Sequence, residues 1–469
     1  MYSLSARLFQ RKAPATLVLI ILFMMALANV AQATTPLRKL AQSASAGAFS
    51  APELYSPTYI RFDNGLQLVV LQRNTARSVS FKVRVGVGMA DFDCGRQEIP
   101  HALEHMVYGG LLDFSEKALE QRFWELGVDS NAYVAGSETV FEAEVFPSSL
   151  SETMSITLRL LTEGHFTEDQ WQKTSAIMRQ EMGGEPTNLE RSSLTGGEFA
   201  SAMTKLNAAI DRQYNRICPE YDQQQNIGLA DIRQTYETYY QPQNMLWVVV
   251  GDIDEARVLL WAKKNLATME RRGAVPDQNT PSQELPGQKT WRGYSSDPAA
   301  GLLFPTGNAG DPDYFPLIAL SNLLDQMAYA QLRIADGTSY SPGAWHYADE
   351  HEGWLGITTD TPAGDHEEAL ERMRGLLSEL SAQRLSEGQF ERFLRGILRS
   401  WARAPESNEG FVDFYLASHW EFKELGRLVH YEKSLASVTP ADLQRVASKL
   451  SRSELIYELI NEEYPEDAY

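Results

Sequence analysis

A chain of 469 residues and 52.6 kDa is too long for one ordinary domain and suits two of roughly 200 residues each. Its apolar fraction of 43% and charged fraction of 22% exclude disorder as the default state. With 42 basic against 62 acidic residues the formal net charge is −20, which repels a phosphate backbone and excludes nucleic acid as a partner; the acidity reads as solubility rather than as a chamber selecting basic peptides.

The first residues carry Arg7, Arg11 and Lys12 ahead of an apolar run from Ala15 to Ala31, and Ala31-Gln32-Ala33 offers a small-x-small cleavage site. This pattern predicts a signal peptide over residues 1–33, cleaved after Ala33, and an exported location such as a bacterial periplasm. The run is shorter than the ~20 residues that span a bilayer, so an uncleaved anchor fits less well, and no stable membrane insertion is expected afterwards. Cys94 and Cys218 are the two thiols available for a disulfide in such a compartment; the sequence leaves open whether they meet. Residues 34–54, rich in Ala, Ser and Pro, read as a flexible leader.

Folded sequence begins near Tyr59. Ile60-Arg61-Phe62, the turn Asp63-Asn64-Gly65 and the run Leu66 to Leu71 predict a hairpin, and a further alternating strand covers Val79 to Val87. Pro100 predicts the first turn of a helix. Leu119, Phe123 and Leu126 predict another helix, ended by Gly127, and Thr139, Phe141, Ala143 and Val145 alternate with Glu142 and Glu144 as a half-buried strand. The mixture is α+β. A Pro- and Gln-rich stretch over 270–289 divides the chain into a domain at 55–269 and a second at 290–469. Their ends resemble one another: Ile227-Gly228-Leu229-Ala230-Asp231 recurs as Val438-Thr439-Pro440-Ala441-Asp442, each followed by a helical stretch and then an apolar run, Met245 to Val250 or Leu455 to Ile460. A duplicated domain accounts for this recurrence.

The chemistry concentrates in Ile99-Pro100-His101-Ala102-Leu103-Glu104-His105-Met106-Val107. On a helix, His101, Glu104 and His105 share one face while the apolar residues turn away towards burial. Desolvating two imidazoles and a carboxylate requires a partner. Two neutral imidazoles one turn apart suit Zn2+, a carboxylate from elsewhere would complete three protein ligands, and the remaining Glu could take a proton from water and deliver it to a leaving amine. His-x-x-Glu-His is the inverse of the commoner zinc-protease order. The bland reading is a helix with two satisfied histidines and a capping carboxylate. Downstream, the helical segment Ala176 to Met182 carries Glu181.

With Glu181 in view, the chain resembles the pitrilysin/insulinase family of inverted zinc peptidases, whose small two-domain members include the mitochondrial processing peptidases. The resemblance runs from Tyr59 onward and includes Asp63-Asn64-Gly65-Leu66, Asn131-Ala132-Tyr133, Tyr240-Gln241-Pro242-Gln243-Asn244-Met245 and Val248-Val249-Val250-Gly251-Asp252. It implies two homologous α/β-sandwich domains forming half of a clam-like chamber, with His101, His105 and Glu181 as zinc ligands and Glu104 as general base. It also implies a sheet edge at Asn131, Ala132 and Tyr133 onto which a peptide substrate adds as a strand. In the second half, Arg333 and Tyr340, following an expected helix from Leu323 to Leu332, match a pair that reaches the zinc site in relatives, the Tyr donating to the developing oxyanion and the Arg holding substrate backbone. No His-x-x-Glu-His follows residue 105, so the second half is expected to be a copy without metal. Relatives usually carry a second Glu seven residues before the zinc-binding one, and here that residue is Thr174. The implied activity is hydrolysis of small or unfolded polypeptides; the alternative is a non-catalytic or weakly active subunit supporting a partner peptidase. The implied assembly is a homodimer, or a heterodimer with a sister subunit, in which one chain's zinc site meets the other's Arg333 and Tyr340.

Overall fold

The first hairpin closes where Gly65 takes a φ of +88°, a conformation costly for any residue with a Cβ. A Cβ there would also lie 2.7 Å from Gln243 Cβ, so the turn seats directly against the chain entering a central strand. The computed structural model describes residues 57–75, 77–181, 188–211, 227–276, 285–349, 352–362, 364–403, 407–422 and 431–465. The expected signal peptide, the leader and Cys218 lie outside them. Cys94 is disulfide-bonded.

Two sheets are built on one plan. Strands β1 (Thr58–Arg61), β2 (Gln67–Gln72), β3 (Val79–Val85), β4 (Asp129–Val134), β5 (Thr139–Val145) and β6 (Met245–Gly251) form a sheet in the order β1-β2-β6-β3-β5-β4. Strands β7 (Thr290–Ser295), β8 (Ala299–Thr306), β9 (Gly343–Ala348), β10 (Gly353–Asp360) and β11 (Tyr457–Glu463) form the other in the order β7-β11-β8-β10-β9. Leaving out β1, the orders correspond strand for strand, and each sheet has one parallel pair at the same place, β2 with β6 and β7 with β11. The recurring sequence around Asp231 and Asp442 falls on equivalent helix starts. The N–H of Gly228 donates to Asp231 Oδ2 at 3.0 Å, and that of Thr439 to Asp442 Oδ2 at 3.0 Å.

The helices used below are α1 (Ile99–Val107), α2 (Glu116–Leu126), α3 (Leu150–Thr162), α4 (Glu168–Glu181), α5 (Ala202–Asp211), α6 (Leu229–Tyr239), α7 (Tyr314–Ala328), α8 (His366–Ala382), α9 (Asn408–Phe422) and α10 (Pro440–Ser451). Helix α2 ends at Gly127 in the left-handed conformation, φ +66°, as its sequence predicts. One face of the first sheet packs Phe81, Val83 and Trp247 against Leu103, Met106, Met178 and Tyr236 of α1, α4 and α6. The corresponding face of the second packs Leu302, Leu355 and Ile460 against Leu320, Leu370, Met373 and Val446 of α7, α8 and α10.

The opposite faces are covered by exchange. Helix α9, from the second half of the sequence, lays Phe411, Val412, Tyr415 and Leu416 on Val69, Val140, Leu246, Val248 and Val250 of the first sheet. Helix α5, from the first half, lays Ala202, Leu206 and Ile210 on Leu303, Trp354, Tyr457 and Leu459 of the second. This explains why β6 is apolar throughout, Met-Leu-Trp-Val-Val-Val: both of its faces are buried, the condition under which alternation disappears. It also changes the reading of β3, whose polar positions face a covering helix rather than water. Lys82 is buried with Glu142 at 2.5 Å and Asp413 of α9 at 2.6 Å, and Arg84 pairs with Glu138 at 2.6 Å. Among the described residues no helix is long and apolar enough to cross a membrane.

Candidate metal centre

Helix α1 begins at Ile99, with Pro100 in its first turn and Glu98 as the preceding residue. Ile99, Pro100, Ala102, Leu103, Met106 and Val107 are buried, which leaves His101, Glu104 and His105 on a half-buried stripe facing α4, α6 and β4. On α4, Trp171, Thr174 and Met178 are buried at helical spacing, and Glu181, the last residue, continues that face towards α1.

Three electron-rich atoms converge there. His101 Nε2 and His105 Nε2 are 3.2 Å apart, and Glu181 Oε2 lies 3.4 Å from the first and 3.3 Å from the second. A tetrahedral zinc ion with bonds of 2.0–2.1 Å requires ligand atoms about 3.3–3.4 Å apart. The spacing therefore fits zinc, and so does the donor set of two imidazoles and one carboxylate. Among the described residues this is the only such group of three potential ligands. Glu104 stands beside it, its Oε2 3.9 Å from His101 Nε2. Burial pushes the Glu104 carboxyl up to about 7; His101 draws it down and the neighbouring Glu181 charge raises it further.

The other imidazole nitrogen of His101 also has a partner. Its Nδ1 lies 2.6 Å from Oε2 of Glu98, whose side chain is 5% exposed. Sequence reasoning did not select Glu98, although its position three residues before His101 on a helical start was the available signal.

Asn131, Ala132 and Tyr133 lie on β4, the outermost strand of the first sheet, paired on one side only, with β5. Asn131 donates to Glu142 Oε1 at 3.3 Å. β4 packs against α1, the helix that carries the His-Glu stripe.

Arg333 and Tyr340 are placed together on the second half. The helix predicted over Leu323 to Leu332 starts earlier, as α7 from Tyr314, and widens into a π-helical turn over Tyr329–Ala335 that carries Arg333. The guanidinium carbon lies 4.4 Å from the Tyr340 ring centre and 5.2 Å from that of Tyr329. Asp360 fixes the loop by accepting from Ser339 Oγ at 2.6 Å, Tyr340 N at 2.8 Å and Ser341 N at 2.7 Å. Tyr340 is 74% exposed.

This fold, two like halves with an inverted zinc motif on the first, defines a peptidase class, and sequence comparison agrees. The family described as "Insulinase (Peptidase family M16)" matches residues 68–195, and "Peptidase M16 inactive domain" matches residues 226–397. The chain belongs to the insulinase family of peptidases. The zinc protease PqqE of Helicobacter pylori is 20% identical over 419 residues, covering 86% of this chain and 92% of that protein. The probable zinc protease PqqL of Escherichia coli is 23% identical over 232 residues, covering 48% of this chain but only 24% of that longer protein. A crystal structure of a protease from Helicobacter pylori superposes with a TM-score of 0.69 at 18% identity, over 87% of this chain and all of that one. The periplasmic protease PqqL from Escherichia coli gives 0.67 at 17% identity, over 90% of this chain and 49% of that one.

Proposed function

We propose that this chain is a zinc endopeptidase that hydrolyses peptide bonds in small or unfolded polypeptides in an exported compartment. The observation that carries the proposal is the convergence of His101, His105 and Glu181 at the spacing of tetrahedral zinc ligands, with Glu104 beside them. Zinc bound there supplies Lewis-acid activation of water and of a scissile carbonyl. Glu104, whose Oε2 lies 3.9 Å from His101 Nε2, takes the proton from the attacking water and returns it to the departing amide nitrogen. The β4 edge binds substrate backbone through main-chain hydrogen bonds, which gives broad peptide tolerance.

Arg333 and Tyr340 complete the site from a second chain. Tyr340 is exposed and Arg333 half-buried; they stack on each other on the half without the metal motif, so a second copy or a homologous sister subunit presents them as fixed donors to the oxyanion and the substrate backbone. The basic-then-apolar start of the sequence and the likeness to a periplasmic relative support export.

The test joins zinc content to cleavage of an unstructured peptide, with and without a chelator. One zinc per chain and cleavage that stops with chelator and returns with added zinc are expected. Zinc-bound protein that cleaves nothing, alone or with added sister subunit, would overturn the endopeptidase reading.

A further inference from the structure

Glu98 is a buried carboxylate that forms no salt bridge with Lys or Arg among the described residues; its partner is the His101 ring. Burying a carboxylate is expensive unless it is hydrogen-bonded to something that favours its charge. A neutral imidazole offers one N–H and one lone pair. When Nδ1–H donates to Glu98, the lone pair of Nε2 is left facing His105 Nε2 and Glu181 Oε2, which is the arrangement a metal ligand requires. The start of α1 adds a favourable field, because the unpaired N–H groups of a helix's first turn stabilise a carboxylate.

We propose that Glu98 is the positioning residue of the zinc site: it fixes the tautomer and ring orientation of His101 and raises the basicity of its Nε2. The inference rests on the zinc reading above. It places the outer carboxylate at the cap of the helix that carries the histidines, whereas the residue two turns before Glu181 on α4 is the buried Thr174 and brings no charge. The motif in this chain is thereby Glu-x-x-His-x-x-Glu-His, with the first Glu behind the first ligand and the second in front of it. The carboxylate that orients His101 therefore comes from the residue capping the helix of the two histidines, while α4 supplies Glu181.

The experiment measures the zinc dissociation constant of the full chain by competition with a chromophoric chelator, for the wild type, Glu98→Gln and Glu98→Ala, with thermal unfolding of the zinc-free proteins alongside. Glu98→Ala is expected to weaken zinc binding about 10- to 100-fold, and Glu98→Gln, which keeps an acceptor but loses the charge, by less. A purely structural role would lower the melting temperature of the zinc-free variants and leave the zinc constants alone. Wild-type protein that binds zinc, with both variants within twofold of it, overturns the role of Glu98 only. Wild-type protein that takes up no zinc overturns the metal site and this role together.

Discussion

The two halves share a scaffold and differ in what they place on it. After β3 the first half sets α1, short and striped with His101, Glu104 and His105; after β8 the second sets α7, longer and apolar, with Leu317, Leu320, Leu323 and Leu324 in the core. The strand orders nevertheless coincide. Strand order and register are held by the whole buried face, where a slip would move every apolar side chain to the wrong side. A polar stripe of three side chains is a local surface property that can diverge without disturbing that face. The frame is thus common to both halves, while one carries the candidate metal ligands and the other Arg333 and Tyr340.

Glu104→Gln tests this division most severely. The amide keeps the shape but cannot accept the water's proton, so peptide cleavage should fall about 10²- to 10⁴-fold while zinc content, measured by atomic absorption, stays at the wild-type level. Unchanged cleavage would remove Glu104 from the chemistry.

The second half is probed by Tyr340→Phe, which deletes one donor and should lower kcat about 10²- to 10³-fold with zinc retained. Because the two residues lie on different halves, mixing Glu104→Gln protein with Tyr340→Phe protein should restore part of the activity, in dimers holding one site with both parts intact. If subunits demonstrably exchange and nothing returns, the halves do not cooperate between chains.

The helix exchange predicts an effect on stability far from either site. Phe411→Ala in α9 should cost about 3–5 kcal/mol and Leu206→Ala in α5 about 2–5 kcal/mol in denaturant unfolding, since each empties a buried place on the other half's sheet. Losses under 1 kcal/mol would mean that the exchanged helices only decorate the sheets.

A smaller asymmetry concerns acid. In the second half, burial pushes His346 down to about 4; its Nδ1 is buried without a hydrogen-bond partner, and its ring packs edge-on to Tyr314. The folded state resists a proton that the unfolded state accepts near 6.5, so stability falls as pH drops from 6.5 towards 4, by about 3 kcal/mol at pH 4. Replacing His346 with Phe should remove this part of the acid sensitivity, measured as melting temperature against pH. A slope unchanged in the variant would assign it to other groups.

Much of the site was legible because its signals are local. His101, Glu104 and His105 are joined by helical spacing within one segment, whereas Glu181 was reached only through the resemblance to a family that pairs this motif with a downstream Glu. Glu98 went unselected because a carboxylate beside a helix start normally reads as a surface charge, and only the folded chain shows it buried against the His101 ring. Lys82 and Arg84 carried the same ambiguity: alternation along β3 was readable, but not that their face is covered by α9 and their charges paired.

By itself, then, the sequence determined the hairpin at Gly65, the helix end at Gly127, the duplicated frame and the helical stripe of His101, Glu104 and His105, since each depends on backbone freedom or on periodicity within a few residues. The tertiary structure alone decided which helix covers which sheet, that Arg333 and Tyr340 stack together, and that Glu98 stands behind His101. Those facts depend on which surfaces meet after the chain has folded, and surfaces from distant segments are compared only in three dimensions, by the area they bury and the charges they pair.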